Sequence, residues 1–314
     1  MALAVVAAVV AAGGCATTSH AIQRATLGTP SRSAAMLAVL GQPGPIEIET
    51  VASAGWVVNR SGLVNLDHPK AKQAGLRPGD EPIQVYFHVL QHPQRGTFII
   101  DTGVEKALRD DRQHAAIRGL VASLIGVKRM TVRQPLGEWL AARAGKLAGV
   151  LFTHLHVDHV SGLPDVPKGT PLYAGPTEAR ERAPQNLVVR PNIDRTFAGH
   201  GPLQEWPFAA DPDRRFEAVL DVFGDGSLWA LWVPGHTPGS TAYLARTPRG
   251  PVLFTGDTCH TAWGWEHGVE PGSYTADQAK NAASLARLRR LAAEHPALQV
   301  RLGHQPLPGR TTSR

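Results

Sequence analysis

Cysteine is scarce in this sequence, since its 314 residues include only Cys15 and Cys259. Two thiols cannot build the dense disulfide framework of a small secreted domain or a cage of thiolates around a metal ion. Hydrophobic residues make up 43% of the chain, the share of an ordinary globular protein. The stability of the fold must therefore come from a hydrophobic core.

The sequence also lacks a long stretch of charge of one sign. Its formal net charge of +6 is modest, and basic residues such as Arg109 and Arg112 lie beside acidic ones such as Asp110 and Asp111. Mixed charges of this kind are typical of solvated helix faces. Nothing among the basic residues forms the stacked aromatic groove that single-stranded nucleic acid favours. We expect a small-molecule substrate and no nucleic-acid partner, and the oligomeric state is open.

One apolar run stands out at residues 2–14, and it carries no charge. It is too short to span a bilayer comfortably and is typical of the apolar region of an export signal. The small residues Ala12, Gly13 and Gly14 before Cys15 resemble a bacterial lipobox, in which the cysteine is lipidated. No basic residue precedes the run and Ala12 stands where Leu is commoner, so a plain secretory signal or an uncleaved anchor stays open. The prediction is an exported, periplasmic or cell-envelope lipoprotein, attached to the membrane through Cys15.

The rest of the chain divides by composition. Residues 16–45 are rich in Ser, Thr, Gly and Pro around a short helical stretch, and we expect a tether there. Residues 46–305 show no internal boundary and are taken as one domain, followed by a C-terminal tail at 306–314. Strands come in groups with helices between and after them, which predicts packed sheets with helices outside. The predicted strands are 46–51, 55–58, 84–90, 97–100, 150–152, 216–223, 227–233, 241–245, 252–254 and 298–302, and the predicted helices are 34–40, 104–126, 136–143 and one that opens at 275–278.

The most informative motif contains His154, His156, Asp158 and His159 in the spacing HxHxDH, directly after an apolar run at 149–152. By chance it should arise in about one of a thousand such chains. Neutral imidazole and carboxylate are the ligands that borderline divalent metals prefer. Histidines that only cap or form hydrogen bonds do not explain so many ligand types in one turn. We therefore expect this loop to bind metal.

Three later residues match this motif in chemistry and position, because His236, Asp257 and His304 each follow a predicted strand. Each is preceded by glycine, which lets the backbone turn sharply toward a crowded centre. Any one alone would be a weak signal, since a lone histidine is more often a hydrogen-bonded surface residue. Together with the first motif they suit two metal ions that share a carboxylate and a water.

The succession of HxHxDH, GHTPGS at 235–240, TGD at 255–257 and GH at 303–304 resembles the metallo-beta-lactamase superfamily over residues 46–305. The resemblance implies an α/β (α+β) fold, a four-layer αββα sandwich with two metals in a cleft at one edge of the sheets. Asp101 occupies a place where the family usually has a similar motif, and we expect it to be buried and to orient a ligand. By position, the implied ligands are His154, His156 and His236 for the first metal, Asp158, His159 and His304 for the second, and Asp257 as the bridge.

Paired metals imply a hydrolase. Two cations would lower the pKa of a bridging water and produce hydroxide near neutral pH, and Asp158 could orient that nucleophile. No protein nucleophile is needed, so we expect Ser240 to brace its turn and Cys259 to be a small packed residue. Zinc is the expected metal, although Mn, Fe and Co accept the same ligands. The prediction is a dinuclear metallohydrolase that uses a metal-bridging hydroxide on a carboxylic ester, lactone or related acyl bond.

Asp257 narrows the choice within the family. The resemblance implies that true beta-lactamases of this fold lack a bridging Asp, whereas lactonases, glyoxalase II-type thioesterases and phosphodiesterases keep it. Acyl-homoserine lactonases often have Tyr three residues later, where this chain has His260, which could donate a proton to the leaving group or be merely structural.

Trp263 and Trp265 could form an apolar substrate wall or belong to the core. Phosphodiester hydrolysis, beta-lactam hydrolysis, oxidation on a single iron and a catalytically silent envelope binding protein remain alternatives.

Overall fold

Two sheets packed face to face and covered by helices make up the computed structural model, which describes residues 16–143, 145–183 and 186–307. The export signal and lipidated Cys15 predicted within residues 1–15 lie outside the described residues, as does most of the tail predicted at 306–314. Along the described ranges, no helix combines the length and the apolar character that crossing a membrane would need.

The elements are numbered along the chain. The strands are β1 (Ile22–Arg24), β2 (Thr29–Ser31), β3 (Glu47–Asn59), β4 (Asp80–His92), β5 (Gly96–Ile100), β6 (Thr131–Val132), β7 (Leu147–Leu151), β8 (Leu172–Ala174), β9 (Leu203–Glu205), β10 (Ala218–Asp221), β11 (Leu228–Trp232), β12 (Thr241–Thr247), β13 (Gly250–Phe254) and β14 (Gln299–Arg301). The helices are α1 (Ser33–Leu40), α2 (Arg60–Leu63), α3 (Pro69–Gln73), α4 (Ala107–Asp110), α5 (Gly119–Leu124), α6 (Leu136–Ala141), α7 (Val157–Val160), α8 (Asn186–Phe197), α9 (Ala262–His267) and α10 (Gln278–Glu294).

The strand orders are β1-β9-β8-β7-β5-β4-β3-β6 in the first sheet and β14-β13-β12-β11-β10-β2 in the second. The inner faces of the two sheets share one apolar cluster, in which Ile100 and Leu151 of the first sheet join Tyr243 and Phe254 of the second. Burial of this kind stabilises a fold by about 25 cal/mol for each Å² of apolar surface removed from water. The two sheets therefore form the central layers of the fold.

Helices cover both outer faces. On the first sheet, Trp139 of α6 and Phe197 of α8 belong to a buried cluster with strand residues. On the second sheet, Met36 of α1 and Leu288 of α10 do the same. The order of layers is helix, sheet, sheet, helix, so the predicted αββα sandwich is confirmed.

The tether predicted for residues 16–45 is wrong, because this segment is part of the domain. Strand β1 pairs in parallel with β9, and β2 pairs antiparallel with β10. Helix α1 occurs where the sequence predicted a short helix, but it buries Met36 and Leu40 against the second sheet. Strands β1 and β2 have three residues each. A strand this short is too brief to show an alternation of apolar and polar residues, so it could not be recognised from the sequence.

The long helix predicted over 104–126 is replaced by the two short helices α4 and α5. In the connection between them, the backbone N–H of Ala116 donates a hydrogen bond of 2.7 Å to the carboxylate of Glu105, which precedes α4 and is only 3% exposed. Arg118 then adopts an extended backbone with φ −147° and ψ 177°. Because the Ala116 N–H is bonded to this buried carboxylate, it does not form a helical hydrogen bond to a backbone carbonyl, and the helix is interrupted here.

Candidate metal centre

The candidate ligands follow strand ends at one edge of the sandwich. In the second sheet, β11 and β13 are both antiparallel to β12, and β14 is parallel to β13. The carboxyl ends of β11, β13 and β14 therefore point to the same edge, and His236, Asp257 and His304 come shortly after them. The N–H of Thr241 donates to the carbonyl of Thr153 over 2.9 Å and joins the histidine loop after β7 to this edge.

Two glycines allow the close approach at this edge. A Cβ atom on Gly303 would lie 2.1 Å from Oδ1 of Asp257. Gly235 has φ 145°, and a Cβ there would lie 2.2 Å from the backbone nitrogen of Asn281. A side chain at either position would displace the loop that carries His236 or His304.

The ligand atoms form two compact groups, and in each group they all lie within 4.8 Å of one another. His236 Nε2 lies 2.9 Å from His156 Nδ1 in the first group. His304 Nε2 lies 3.2 Å from Oδ2 of both Asp158 and Asp257 in the second. The first group consists of His154, His156, His236 and Asp257, and the second of Asp158, His159, Asp257 and His304. Asp257 belongs to both groups, and every residue expected as a ligand lies in one of them.

The Nδ1 atoms of the two histidines in the second group have fixed partners. Asp101, which is buried, has Oδ2 2.8 Å from Nδ1 of His159 and also accepts a hydrogen bond from the hydroxyl of Thr153. His304 Nδ1 lies 2.8 Å from the carbonyl oxygen of Gln84. Partners of this kind set the tautomer and ring orientation of a metal-binding histidine. The structure thus places Asp101 where the sequence expected a residue that orients a ligand.

The histidines of the first group stay neutral at ordinary pH. Burial, the largest effect, lowers the pKa of His154 and of His236 well below the ordinary value. It also lowers the pKa of His156 to about 4, although Asp158 and Asp257 act in the opposite direction. A neutral imidazole has a free lone pair, which is the form that binds a metal.

In the second group, the negative charge of the carboxylates determines the direction of the histidine pKa shifts. Burial lowers the pKa of His159 and His304, but Asp257 and neighbouring carboxylates outweigh it, so the pKa of His159 lies well above its ordinary range and that of His304 at about 10. Burial raises the pKa of Asp257, but His304, His260 and His159 hold it well below its usual value. These buried carboxylates are stable only beside positive charge.

Unpartnered atoms show that two metal ions fit this site. Among the described residues, His154 Nε2, His159 Nε2 and Asp257 Oδ1 are buried polar atoms without a hydrogen-bond partner. Buried polar groups are otherwise almost always satisfied. The two Nε2 atoms lie 3.7 and 3.3 Å from Asp257 Oδ2, so the two ring nitrogens converge on the shared carboxylate. Nitrogen and oxygen donors of this number suit two divalent cations.

Glu178 is a residue of the site that the sequence did not single out. Its carboxylate is buried and accepts hydrogen bonds from the Leu155 N–H at 2.8 Å, the Thr237 hydroxyl at 2.7 Å and the Gly239 N–H at 3.0 Å. It therefore joins the loop of His154 and His156 to the loop of His236. Burial raises the pKa of Glu178, against these hydrogen bonds. In the sequence Glu178 belongs to no motif, and β8, the strand that precedes it, was not among the predicted strands.

His260 lies inside the site rather than at its surface. It is 1% exposed, its Nε2 lies 2.9 Å from Asp257 Oδ2, and its Nδ1 lies 3.2 Å from the carbonyl of Leu63. Ser240 braces its turn by accepting a hydrogen bond from the N–H of Thr237. Cys259 is packed in the core, where burial raises its thiol pKa to about 12.

A cleft of about 640 Å³ opens above the ligands, and Asp158, His236 and His304 are among its lining residues. Trp263 and Trp265 do not line it; they pack against two different apolar clusters, so the substrate wall considered for them is wrong. The aromatic residues of the cleft are Trp56 and Tyr274, which no motif indicated. Its apolar walls consist of Trp56, Val57, Val58, Leu63, Ile83, Leu124, Ile125, Leu155, Val157, Val189 and Ile193.

Comparison with known proteins agrees with this geometry. The family model of the metallo-beta-lactamase superfamily matches residues 80–304, from β4 to the last candidate ligand. The chain is 29% identical over 242 residues to the N-acyl homoserine lactonase AttM of Azorhizobium caulinodans. The aligned region covers 72% of this chain and 84% of that relative.

Solved structures share the fold. A quorum-quenching N-acyl homoserine lactone hydrolase has a TM-score of 0.60 at 17% identity, covering 87% of this chain and 97% of that one. AidC, a dizinc quorum-quenching lactonase solved with a product, has a TM-score of 0.56 at 13% identity, covering 91% and 93%. At these identities the likeness establishes the arrangement of sheets and helices.

Proposed function

The chain belongs to the metallo-beta-lactamase superfamily, and we propose that this metal-dependent hydrolase opens the ester bond of lactones that carry an apolar acyl chain. The observation that carries the proposal is a carboxylate, Asp257, shared by two ligand groups at the floor of a cleft with apolar walls. The lactonase AttM, similar over most of its length, supports the same substrate class.

We propose that the two ligand groups hold the metals. His154, His156 and His236 would bind one zinc ion, Asp158, His159 and His304 the other, and Asp257 would bind both. Two such ions supply a Lewis acid for the carbonyl oxygen and a water of low pKa as nucleophile. We propose zinc because the donors are imidazole and carboxylate and because AidC is a dizinc enzyme.

The protein contributes substrate binding and orientation. The apolar walls of the cleft fit an acyl chain, and a cleft of about 640 Å³ lies within the range of small-molecule sites. Asp158 lines the cleft floor, with its side chain 14% exposed. Its carboxylate therefore borders both His304 and the space where the reacting carbonyl would lie, a position suited to orienting the attacking water.

We also propose export and lipid attachment at Cys15, which rest on the apolar run at 2–14 and the small residues before the cysteine. Expression of the full chain in a bacterium with radiolabelled fatty acid tests this directly. Label should enter the wild-type chain and be lost in Cys15→Ser, whereas Cys259→Ser, at a buried position, should keep it. Equal labelling of all three proteins, or none in wild type, would contradict the proposal.

Hydrolysis assays with metal analysis test the proposed reaction. The zinc-loaded protein should open N-acyl lactones, with kcat/KM rising with acyl length, and should be much slower on phosphodiesters and nitrocefin. His154→Ala should lose activity and metal, whereas His114→Ala, at an exposed position away from the site, should retain both. Faster turnover of phosphodiesters than of every lactone would favour the alternative hydrolase, and metal binding without any turnover would favour a silent binding protein.

A further inference from the structure

Exposed hydrophobic side chains are concentrated at the mouth of the cleft. Leu120 and Leu124 of α5 are each 68% exposed, and Leu187 and Val188 of α8 are 48% and 45% exposed. Within the described part of the chain, the one other large hydrophobic side chain of this exposure is Tyr274, which lines the cleft. We call Leu120, Leu124, Leu187 and Val188 the apolar rim.

The apolar rim is continuous with the cleft wall. Leu124 itself lines the cleft, and Leu120 lies one turn before it on the same helix. Leu187 and Val188 lie between Asn186 and Val189, which also line the cleft. Clustered exposed side chains of this kind mark an interaction surface, whereas single exposed leucines do not.

The exposed charges on the two segments that carry the rim are basic. In segments 118–129 and 180–190, every charged side chain that is exposed in the described structure is basic. The acidic residue of these segments, Glu181, is half-buried in the cleft, where burial raises its pKa to about 7. Apolar residues flanked by cations suit an interface with anionic headgroups. The exposed basic residues are Arg118, Lys128, Arg129, Arg180 and Arg182, of which Arg129 forms an ion pair with the exposed Asp80.

The chain enters the domain at the same face. Ala16 forms a β-bridge with Arg182, and the N–H of Thr18 donates to the carbonyl of Ala179 over 3.3 Å. Thr17 between them lines the cleft. Because Cys15 directly precedes Ala16 in the sequence, a lipid attached to it as proposed above would be bonded within two residues of Thr17, which lines the cleft.

We propose that the apolar rim docks on the surface of an anionic lipid bilayer, with the side chains of Leu124 and Leu187 below the headgroups and the cleft mouth facing the membrane. The surface rests on exposure, charge and chain entry, and it does not depend on which ester the site hydrolyses. It gives an amphiphilic substrate a path from the bilayer into the cleft.

Depth-resolved fluorescence quenching on the full chain tests the docking. An environment-sensitive fluorescent amino acid is introduced at Leu124, at Leu187 or, as matched control, at Ala283, which is exposed on α10. Vesicles contain phosphatidylcholine and phosphatidylglycerol, with brominated lipids or aqueous iodide as quenchers. We expect bromolipid quenching and iodide protection at the two rim positions, and the reverse at Ala283.

Three results would overturn the proposal or its headgroup contact. Iodide quenching at the rim as strong as at Ala283 would show that the rim faces water. Protection from both quenchers would show that protein, such as a second copy of the chain, covers it. Arg180→Glu with Arg182→Glu should reduce bromolipid quenching at Leu124 in these vesicles at low salt, whereas Arg290→Glu on α10 should not. An unchanged signal in the double variant would overturn the headgroup contact.

Discussion

Nε2 of His260 lies 2.9 Å from Oδ2 of Asp257, the carboxylate that the two ligand groups share. Nδ1 of the same ring lies 3.2 Å from the carbonyl oxygen of Leu63. Both ring nitrogens therefore have protein partners, and the side chain is 1% exposed. This geometry favours a positioning role, in which His260 holds the bridging carboxylate, over proton donation to a leaving group.

We predict that His260→Ala weakens zinc binding about 10- to 100-fold, as loss of a residue that supports a ligand typically does. Competition with a chromogenic chelator measures this affinity, and His114→Ala, at an exposed position, is the control. At saturating zinc, kcat should largely recover. A proton donor would behave differently, since kcat would fall at unchanged zinc affinity and would fall less for thiolactones, whose leaving group needs less protonation.

We predict that Glu178→Gln destabilises the protein and loosens its metal site together. Whichever carboxylate oxygen it replaces, the amide nitrogen of Gln cannot accept a hydrogen bond, so either Leu155 or the pair Thr237 and Gly239 loses its acceptor. A buried donor left unpaired costs about 1–3 kcal/mol. Urea denaturation and zinc affinity measure the two effects. Glu205→Gln, whose carboxylate accepts from the exposed Thr177 N–H, should change neither. Reduced stability with unchanged zinc affinity would mean that Glu178 does not position the ligand loops.

Metal removal should lower stability as well as activity. Without cations, the buried carboxylate of Asp257 and the partly exposed carboxylate of Asp158 lie close together with only histidines to balance them. A ligand that binds only the folded state at 100 times its Kd stabilises it by about 2.7 kcal/mol. Dialysis against a chelator should therefore lower Tm, and added zinc should restore both Tm and turnover. A Tm that does not respond to the chelator would contradict a metal site in this group.

The ligand groups could be predicted from the sequence because each signal is local. A strand, a glycine and a histidine or aspartate follow one another within a few residues, as in the segments that end at Asp257 and His304. The parallel and antiparallel pairing of the strands then brings these ends to one edge, as the family resemblance implied.

The parts that could not be predicted depend on distant contacts. Glu178 has no motif, and its role arises only when its loop meets Leu155 and Gly239. The segment 16–45 has the composition of a tether, yet its short strands find partners in β9 and β10. Tertiary pairing overrides composition where a short segment can complete a sheet edge.

Glu105 makes stability depend on pH, away from the metal centre. Burial, the largest effect, raises its pKa from 4.5 to about 7, although the Ala116 N–H acts to lower it. A carboxyl whose folded pKa is raised is protonated more readily in the folded protein, so its contribution to stability is full below the unfolded pKa and is lost as pH rises through 7. Because one pKa unit corresponds to about 1.4 kcal/mol, the loss is at most about 3 kcal/mol.

Glu105→Gln should remove this dependence, because an amide cannot ionise and its oxygen can still accept from Ala116. Urea denaturation at pH 5.5 and pH 8 measures the free energy of unfolding, with zinc present throughout so that the metal site contributes equally to each protein. The difference between the two pH values should be smaller in Glu105→Gln than in wild type, with the variant the more stable at pH 8. Glu266→Gln, at an exposed position, should match wild type. An equal pH difference in all three proteins would place the carboxylate of Glu105 in contact with solvent and leave the break between α4 and α5 without its buried acceptor.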